Sequence, residues 1–257
     1  MTATPALTPL PPGSTLGILG GGQLGRMLSQ AASRLGFNVV VLDPEDNSPA
    51  GRVSQGQIVA AYDNPTALGV LGQTCAAVTF EFENVPAASV AALAKGGALV
   101  APGPRALAVA QDRVEEKTFL NGVGATTVDF VPVDGLDDLL AGLERLGAPA
   151  LLKTRREGYD GKGQIWVRSA KMAPDAWHVI GERPAILEAR ADFVRELSVI
   201  AARGRDGVFQ CVKDQARRAF HQYARACVRS GRRGKLDAFR CGFELTGSVG
   251  MTPEVSG

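Results

Sequence analysis

A glycine-rich turn near the start of the chain constrains the fold more than any other sequence feature. The apolar run Leu16–Leu19 leads into a turn in which Gly20, Gly22 and Gly25 have the spacing G-x-G-x-x-G. Apolar residues then recur at helical spacing over Gln23–Leu35. Glycines in such a turn let backbone N–H groups approach a phosphate at the start of a helix. The sequence therefore predicts a strand, a tight turn and a helix of the kind that holds a phosphate.

Strand-like and helix-like patterns alternate through the rest of the first hundred residues. Strands are predicted in FNVVVLD (37–43), GQIVA (56–60), AAVTFEFE (76–83) and GALVAP (97–102), and helices over Pro65–Leu71 and Ala87–Lys95. This alternation predicts an α/β fold with a doubly wound parallel sheet.

Two kinds of ligand suit the glycine turn. One is NAD(P) or another nucleotide, in which case the chain is a nucleotide-binding Rossmann protein that uses Gly20–Gly25. The other is a different phosphorylated compound. Asp43 follows at about the distance where an acid meets a ribose hydroxyl in dinucleotide-binding folds. A third interpretation is a tight turn that binds nothing, so this part of the chain leaves the ligand open.

The segment TFEFENVP supplies two acids at the predicted end of a strand. With period two, Glu81 and Glu83 face away from the phenylalanines beside them. Because open α/β sheets place ligands at the carboxyl ends of their strands, these acids are candidates to contact sugar hydroxyls or an amine. The other interpretation leaves Glu81 exposed to solvent and makes Asn84 the N-cap of a helix led by Pro86.

A second glycine-rich segment, TRREGYDGKGQIWV, lies between two predicted strands. The stretch before it, up to Lys153, predicts a loop, an amphipathic helix and a strand. The glycines Gly158, Gly161 and Gly163 with Lys162 predict a hairpin flap rich in donors and suited to a polyphosphate. The flap is no Walker A loop, because that loop precedes a helix. Lys153 would add a fixed ammonium group.

The segment AILEARADFVRELSVI contributes two further acids. Backbone groups around Glu188 are candidates to meet a purine edge, and Glu196 is a candidate acceptor for ribose hydroxyls. Either acid alone would also suit a solvated surface.

Composition excludes several classes of protein. The 257 residues carry a net charge of +2, too little to indicate a nucleic acid or an anionic membrane as partner. No apolar run approaches the ~20 residues of a membrane span. The four cysteines lack C-x-x-C spacing and indicate neither zinc nor disulfides. The expected compartment is the reducing cytoplasm.

Five segments in order resemble the ATP-grasp ligases of purine biosynthesis. They are GILGGGQLGRM, TFEFENVP, QDRVEEKTFL, LLKTRREGYDGKGQ and ILEARADFVRELSVI. The likeness is greatest to the N5-carboxyaminoimidazole ribonucleotide synthetase family and covers about Leu16–Gly207. GGGQLGRM together with GYDGKGQ makes it specific. Glu157 stands where glycine is common in that family.

The prolines and threonines of the first residues predict a disordered leader (1–14). The resemblance then implies a pre-ATP-grasp, Rossmann-like parallel-sheet domain for the substrate nucleotide (15–110). An incomplete ATP-grasp domain (111–207) follows, with the lid and the first part of the central sheet. The last part (208–257) is expected to be an aberrant basic tail.

The resemblance also implies an activity, its substrates and their contacts. ATP would phosphorylate bicarbonate to carboxyphosphate, and the amine of 5-aminoimidazole ribonucleotide would take up the carboxyl group. Mg²⁺ and a homodimer belong to the same expectation, and no residue is assigned to acid–base catalysis. The implied ATP contacts are Arg113, Lys153, Gly158, Tyr159, Asp160, Gly161, Lys162, Gly163, Gln164, Glu188, Ala189, Arg190, Ala191 and Glu196. The implied substrate contacts are Gln23, Leu24, Glu83, Tyr159 and Asp160.

The family motifs stop near Gly207. Residues 208–257 contain nine Lys/Arg and four Asp/Glu, and no acid pair there matches the Mg²⁺ ligands that the family implies. The segment also lacks a strand pattern. A frameshift explains the loss of motifs and the change of charge together, and a basic module for RNA or a protein partner is the alternative. We expect the segment to be loosely ordered or helical, and the chain to be a poor catalyst.

Overall fold

The computed structural model describes residues 9–158, 163–192, 196–197, 200–204, 207–212 and 226–227. The chain divides into two compact units, one formed by Thr8–Gln111 and the other holding the chain from Asp112 onwards. The leader up to residue 8 and most of the tail lie outside the described residues.

The first unit is built on a parallel sheet, as predicted. Its strands are β1 (Thr15–Leu19), β2 (Asn38–Asp43), β3 (Gly56–Val59) and β4 (Ala77–Phe80), in the order β3-β2-β1-β4. Its helices are α1 (Gln23–Arg34), α2 (Pro65–Thr74), α3 (Ala87–Lys95) and α4 (Pro104–Ala110), with a short 3-10 helix at Gly51–Val53. In the sheet Ile18 lies between Val41 and Thr79. This register places the end of β1 and the glycine turn between the ends of β2 and β4.

Helix α1 has the predicted position, but its apolar face is exposed and the opposite face is buried. Its apolar positions Leu24, Met27, Leu28 and Leu35 are 56%, 58%, 42% and 70% exposed, whereas Gly25 and Ser29 are buried. A Cβ at residue 25 would lie 2.6 Å from the carbonyl oxygen of Gly20. The buried side of the helix lies so close to the glycine turn that only a small residue fits at position 25. This close approach of the backbone decided which face of the helix is buried.

Three local expectations around β4 are wrong. The strand ends at Phe80, so Glu81 and Glu83 belong to the turn that follows. The run 97–102 forms only an isolated bridge between Val78 and Val100. Helix α3 has Pro86 as its N-cap and not Asn84, because residues 83–84 form a turn and Pro86 still has a ψ of 122° outside the helical range.

The second unit contains an antiparallel sheet. Its strands are β5 (Phe130–Val133), β6 (Ala150–Thr154), β7 (Gln164–Val167) and β8 (Ala185–Ala189), in the order β5-β8-β6-β7. Its helices are α5 (Arg113–Gly122), α6 (Leu136–Leu146) and α7 (Ala173–Val179), with a 3-10 helix at Ala170–Met172. β6 and β7 pair with Lys153 opposite Gln164, which confirms the hairpin. The loop expected at Val131 is instead the strand β5, where Pro132 is tolerated because the strand lies at an edge.

One face of this sheet carries the core of the second unit. Val131, Leu152 and Leu187 are buried there together with Leu139 and Leu143 of α6. Because side chains alternate along a strand, Lys153 and Glu188 lie on the opposite face. The fold therefore leaves charged groups on the side of the sheet away from the core.

In the described part of the chain after β8, four short strands follow: β9 (Glu196–Leu197), β10 (Ile200–Arg203), β11 (Phe209–Val212) and β12 (Ala226–Cys227). β10 pairs with β11 and β9 with β12, both antiparallel. The expectation that no strand follows Gly207 is wrong for β11 and for the two-residue strand β12. Among the described residues, no helix is long and apolar enough to cross a membrane.

Candidate nucleotide-binding site

A cluster of charged side chains lies on the sheet face of the second unit that is away from the core. The Nζ of Lys153, on β6, lies 2.7 Å from Oε2 of Glu188, on the neighbouring strand β8. The Nζ of Lys117, on α5, lies 3.4 Å from the other oxygen of Glu188. Glu188 is only 7% exposed, and a buried carboxylate needs charged or polar partners. The two ammonium groups compensate its charge. The sheet register thus brings together the predicted residues Lys153 and Glu188.

Lys117 is a member of this cluster that sequence reasoning missed. Its Nζ also lies 6.0 Å from the centroid of the Phe130 ring. Its position four residues after Arg113, on one helix face, was the available signal. The signal was weak because a lysine on a charged helix is most often solvated.

Arg113 contacts the backbone where the glycine-rich loop begins. Its guanidinium donates to the carbonyl oxygens of Thr154 at 2.8 Å and Gly158 at 2.7 Å, and its backbone N–H donates to Arg155 at 3.0 Å. The described geometry therefore gives Arg113 a role in holding this loop. Its contact with ATP stays a prediction.

Asp112 precedes Arg113 and caps helix α5. One carboxylate oxygen accepts from the N–H groups of Val114 at 3.0 Å and Glu115 at 3.3 Å. The Nε of Arg155 donates to both oxygens, at 2.9 and 3.0 Å, and the Nε of Arg156 donates at 3.3 Å. Burial alone would raise the pKa of Asp112, but the bond from Arg155 and the two helix amides hold it below its usual value. The pKa of Arg155 is raised, mainly by its hydrogen bond to Asp112.

The glycine-rich loop is described at its two ends. Glu157 has φ 62°, and Gly163 has φ 70° and accepts at its carbonyl from the N–H of Thr154 at 2.8 Å. Gln164 begins β7 opposite Lys153. The predicted contacts Tyr159, Asp160, Gly161 and Lys162 lie outside the described residues.

The segment after Glu188 borders a cavity of about 560 Å³. Its lining residues are Pro149, Trp166, Arg168, Arg190 and Ala191. Arg190 pairs with Asp192 at 2.8 Å in an exposed ion pair. Ala189 ends β8, and Glu196 begins β9, although the side chain of Glu196 lies outside the described part of the chain.

The glycine turn of the first unit is occupied by carboxylates of its own chain. Asp43 accepts from the N–H of Gly21 at 2.6 Å, and Glu81 accepts from Gly22 at 2.9 Å and Gly25 at 2.5 Å. Asp43 was expected near a ribose and Glu81 either near a ligand or in solvent. The solvent-exposed interpretation of Glu81 is wrong, because the two acids satisfy the N–H groups of the turn, and a ligand contact of either acid stays a prediction.

Tyr62 completes this arrangement. Its hydroxyl donates to Asp43 at 2.6 Å. Burial first, and then the hydrogen bond to the Asp43 carboxylate, raise the pKa of Tyr62, so the phenol stays protonated. Asp43 therefore has partners on both oxygens, since its other oxygen accepts from the N–H of Glu45 at 2.8 Å.

The predicted substrate contacts of the first unit lie beside this turn. Gln23 and Leu24 begin α1, and both are exposed. Within the described residues, the backbone N–H groups of Gln23 and Leu24 have no acceptor. The Glu83 side chain is exposed, and its carbonyl oxygen accepts from Nε2 of Gln111 at 2.7 Å.

Mg²⁺ has no ligand set in the part of the chain that the structure describes. No group of three or more His, Cys, Asp or Glu side chains is placed there so that it could hold a metal. Glu188, the buried acid on the sheet, already pairs with two lysines. We therefore derive no chemical step through a metal.

Two family models match this chain. The ribonucleotide synthetase preATP-grasp domain model matches residues 14–111, and the ATP-grasp domain model matches residues 118–231. The sheets, the glycine-rich hairpin and these matches define an α/β chain made of a pre-ATP-grasp domain and ATP-grasp sequence.

Known proteins narrow this class. The N5-carboxyaminoimidazole ribonucleotide synthase of Brucella melitensis is 50% identical over 202 residues, which are 78% of this chain and 56% of that protein. An N5-carboxyaminoimidazole ribonucleotide synthetase solved as its ADP complex superposes with a TM-score of 0.75 at 37% identity, covering 79% of this chain and 53% of that one. The Aspergillus clavatus synthase, solved with ADP and 5-aminoimidazole ribonucleotide, has a TM-score of 0.69 at 29% identity, with coverages of 78% and 52%.

Over the matched residues the chain carries the ribonucleotide synthetase preATP-grasp domain and is similar to N5-carboxyaminoimidazole ribonucleotide synthetases. It spans about half the length of the relatives it matches. The alternative of an NAD(P)-binding protein that uses Gly20–Gly25 is not favoured, because the relatives are synthetases and the turn amides are occupied by Asp43 and Glu81.

Proposed function

We propose that the chain serves the ATP-dependent carboxylation of 5-aminoimidazole ribonucleotide with bicarbonate in purine biosynthesis, as a carbon–nitrogen ligase. The observation that carries this proposal is the cluster of Lys153, Glu188 and Lys117 beside the glycine-rich hairpin. The names of the family relatives support the same reaction.

The proposed reaction has two steps. A bicarbonate oxygen attacks the γ-phosphorus of ATP, and ADP leaves, which yields carboxyphosphate. The amine of 5-aminoimidazole ribonucleotide then attacks the carboxyl carbon, the bond to phosphate breaks, and the amine loses a proton, leaving the N5-carboxy product. Such phosphoryl transfer depends mainly on positioning and on neutralising charge. A lysine held in place by Glu188 suits that task, and no histidine is required.

The proposed contacts fall into two sets. ATP would meet Lys153, Arg113, Gly158–Gln164, Glu188–Ala191 and Glu196. The ribonucleotide would meet Gln23, Leu24 and Glu83 in the first unit, and Tyr159 and Asp160. In the first unit the open N–H groups at the start of α1 support this assignment, since they favour an anionic group.

The ATP assignment is tested with Lys153→Met. We expect ATP to bind the wild-type chain and NAD to show no binding in isothermal titration. Loss of a charged hydrogen bond should weaken ATP binding by about 1.5–3 kcal/mol. Lys171→Met, at an exposed lysine of the same unit, is the matched control and should bind ATP normally. Unchanged ATP affinity in Lys153→Met, or tight NAD binding, would contradict the assignment.

The substrate assignment is tested at Gln23. Gln23→Ala leaves the glycines and their carboxylate partners in place, so we expect weaker binding of 5-aminoimidazole ribonucleotide with ATP binding retained. Gly22→Val would be a less specific change, because its Cβ would lie 2.7 Å from Oε1 of Glu81. Equal loss of both ligands in Gln23→Ala would argue against separate sites.

Three further properties belong to the proposal: Mg²⁺ as the metal, a homodimer, and a cytoplasmic location. The family resemblance is the support for Mg²⁺ and for the homodimer, and the cysteine pattern is the support for the cytoplasm. Sedimentation measures the oligomeric state. Phosphate release in the presence of ATP, Mg²⁺, bicarbonate and 5-aminoimidazole ribonucleotide measures turnover.

A further inference from the structure

Asp112 has more partners than a helix cap requires. A capping aspartate is satisfied by N–H groups of the first helical turn, and Val114 and Glu115 supply these. The same carboxylate is 3% exposed, and it also accepts hydrogen bonds from Arg155 at both oxygens and from Arg156 at one. The additional partners are the two residues that directly follow strand β6.

The residue after Asp112 holds the same segment through its backbone. Arg113 donates to the carbonyl oxygens of Thr154 and Gly158, and its N–H donates to Arg155. Two consecutive residues at the start of α5 thus hold residues 154–158. Asp112 binds the arginine side chains of this segment, and Arg113 binds its backbone carbonyl groups. The segment also has backbone bonds at its start, since the N–H of Arg155 donates to the carbonyl oxygen of Pro184 at 2.9 Å, whereas the side chains of Arg156 and Glu157 are exposed.

We infer that Asp112 is a positioning residue for the glycine-rich loop and sets the affinity for the polyphosphate of the nucleotide. It acts through Arg155 and Arg156, by fixing the point from which the loop leaves β6. The inference rests on the proposed function insofar as the ligand is ATP. It adds a residue that the ATP contacts did not include.

Substitution of Asp112 by serine distinguishes a role as helix cap from a role as positioning residue. Serine caps a helix about as well as aspartate, so Asp112→Ser keeps the cap. Serine has one oxygen and no charge, so it cannot hold two guanidinium groups. Arg155→Met removes the pairing from the other side and leaves the cap untouched. The two variants should therefore share one phenotype.

The experiment compares ATP and AMP binding by the full chain in isothermal titration, alongside thermal unfolding. For Asp112→Ser and Arg155→Met we expect about tenfold weaker ATP binding, the effect of one charged hydrogen bond, with AMP affinity near wild type and a melting temperature lower by a few degrees. Asp112→Ala, which loses the cap as well, should melt at a still lower temperature. Lys171→Met is the control for a loss of charge elsewhere in the unit.

A second measurement does not depend on ATP. Trypsin cleavage after Arg155 and Arg156 should be about tenfold faster in Asp112→Ser, because the segment opens locally more often. Wild-type ATP affinity and wild-type cleavage in Asp112→Ser would overturn the inference and leave Asp112 as a cap. Loss of ATP and AMP binding together with a lower melting temperature would also overturn it. If the wild-type chain binds no ATP while cleavage is accelerated, the proposed function fails and the positioning role stands.

Discussion

Glu157 occupies a backbone conformation that suits glycine. Its φ is 62°, and its ion pair with Arg183, at 3.8 Å between exposed side chains, adds little stability. A residue with a Cβ loses about 1–2 kcal/mol in the left-handed region. This conformation is the physical reason why the glycine that the family resemblance implies at this position would fit it without strain.

We expect Glu157→Gly to raise the free energy of unfolding. The relief of left-handed strain exceeds the ~0.5–1 kcal/mol entropy loss of glycine, so the net gain should be about 0.5–1 kcal/mol. Urea unfolding measures it. Gly163→Ala is the opposite case, since Gly163 has φ 70° and its Cβ would lie 2.8 Å from Oγ1 of Thr154. A destabilised Glu157→Gly would show that the Glu157 side chain contributes more than its exposed contact indicates.

The pairing of Asp112 should make stability depend on pH. The native pKa of Asp112 is lowered, whereas the unfolded value is about 3.9. The carboxylate therefore contributes its stabilisation fully above the unfolded pKa, and the contribution is lost as the pH falls through the native pKa. The difference in unfolding free energy between wild type and Asp112→Asn should be about 1–2 kcal/mol at pH 6–7 and shrink below about pH 4. A difference that grows towards acid pH would contradict the assignment.

At the scale of an element, α1 shows how close packing overrides amphipathic pattern. Its buried side consists of small residues, and Ser29 donates from Oγ to the carbonyl oxygen of Gly25 at 2.8 Å. The large apolar residues point outwards in the described structure. The sequence period identified the helix correctly and assigned the wrong face to the interior.

Substitutions on the two sides of α1 should have unequal effects. Met27 is 58% exposed, so Met27→Gln should change the unfolding free energy by no more than about 0.5 kcal/mol. Gly25→Ala places a Cβ 2.6 Å from a backbone oxygen and should cost about 1–3 kcal/mol. Thermal unfolding of both variants is the measurement. A strong loss of stability in Met27→Gln would show that this face is covered.

At the scale of the whole molecule, each unit has its own hydrophobic core. The residues around Leu19, Leu42 and Leu71 form the core of the first unit, and those around Leu152 and Leu187 form the core of the second. ATP is proposed to contact the second unit, so its binding should stabilise that unit selectively.

Calorimetry should therefore show two unfolding transitions, of which ATP raises one. At a hundred times its Kd, a ligand adds about 2.7 kcal/mol, which shifts the transition of a domain of this size by about 10 °C. Lys153→Met should reduce the shift. A single transition, or equal shifts of both transitions, would contradict independent units.

Local sequence pattern by itself determined several elements of this protein. The parallel strands of the first unit, the hairpin around the second glycine-rich segment and the helix after the first glycine turn all follow from short-range periodicity and glycine placement. These features depend on residues that are only a few positions apart in the chain, so they can be predicted from the sequence without the tertiary structure. The segments that resemble the family identified it for the same reason.

Tertiary structure alone decided the partners of the charged groups. Glu81 meets Gly22 across 59 residues, Arg155 meets Asp112 across 43 and Lys153 meets Glu188 across 35. Each pairing depends on sheet order and on how closely an element packs, and sequence period reports neither. A buried carboxylate takes whichever donors the fold brings within reach, because it cannot remain unpaired away from water.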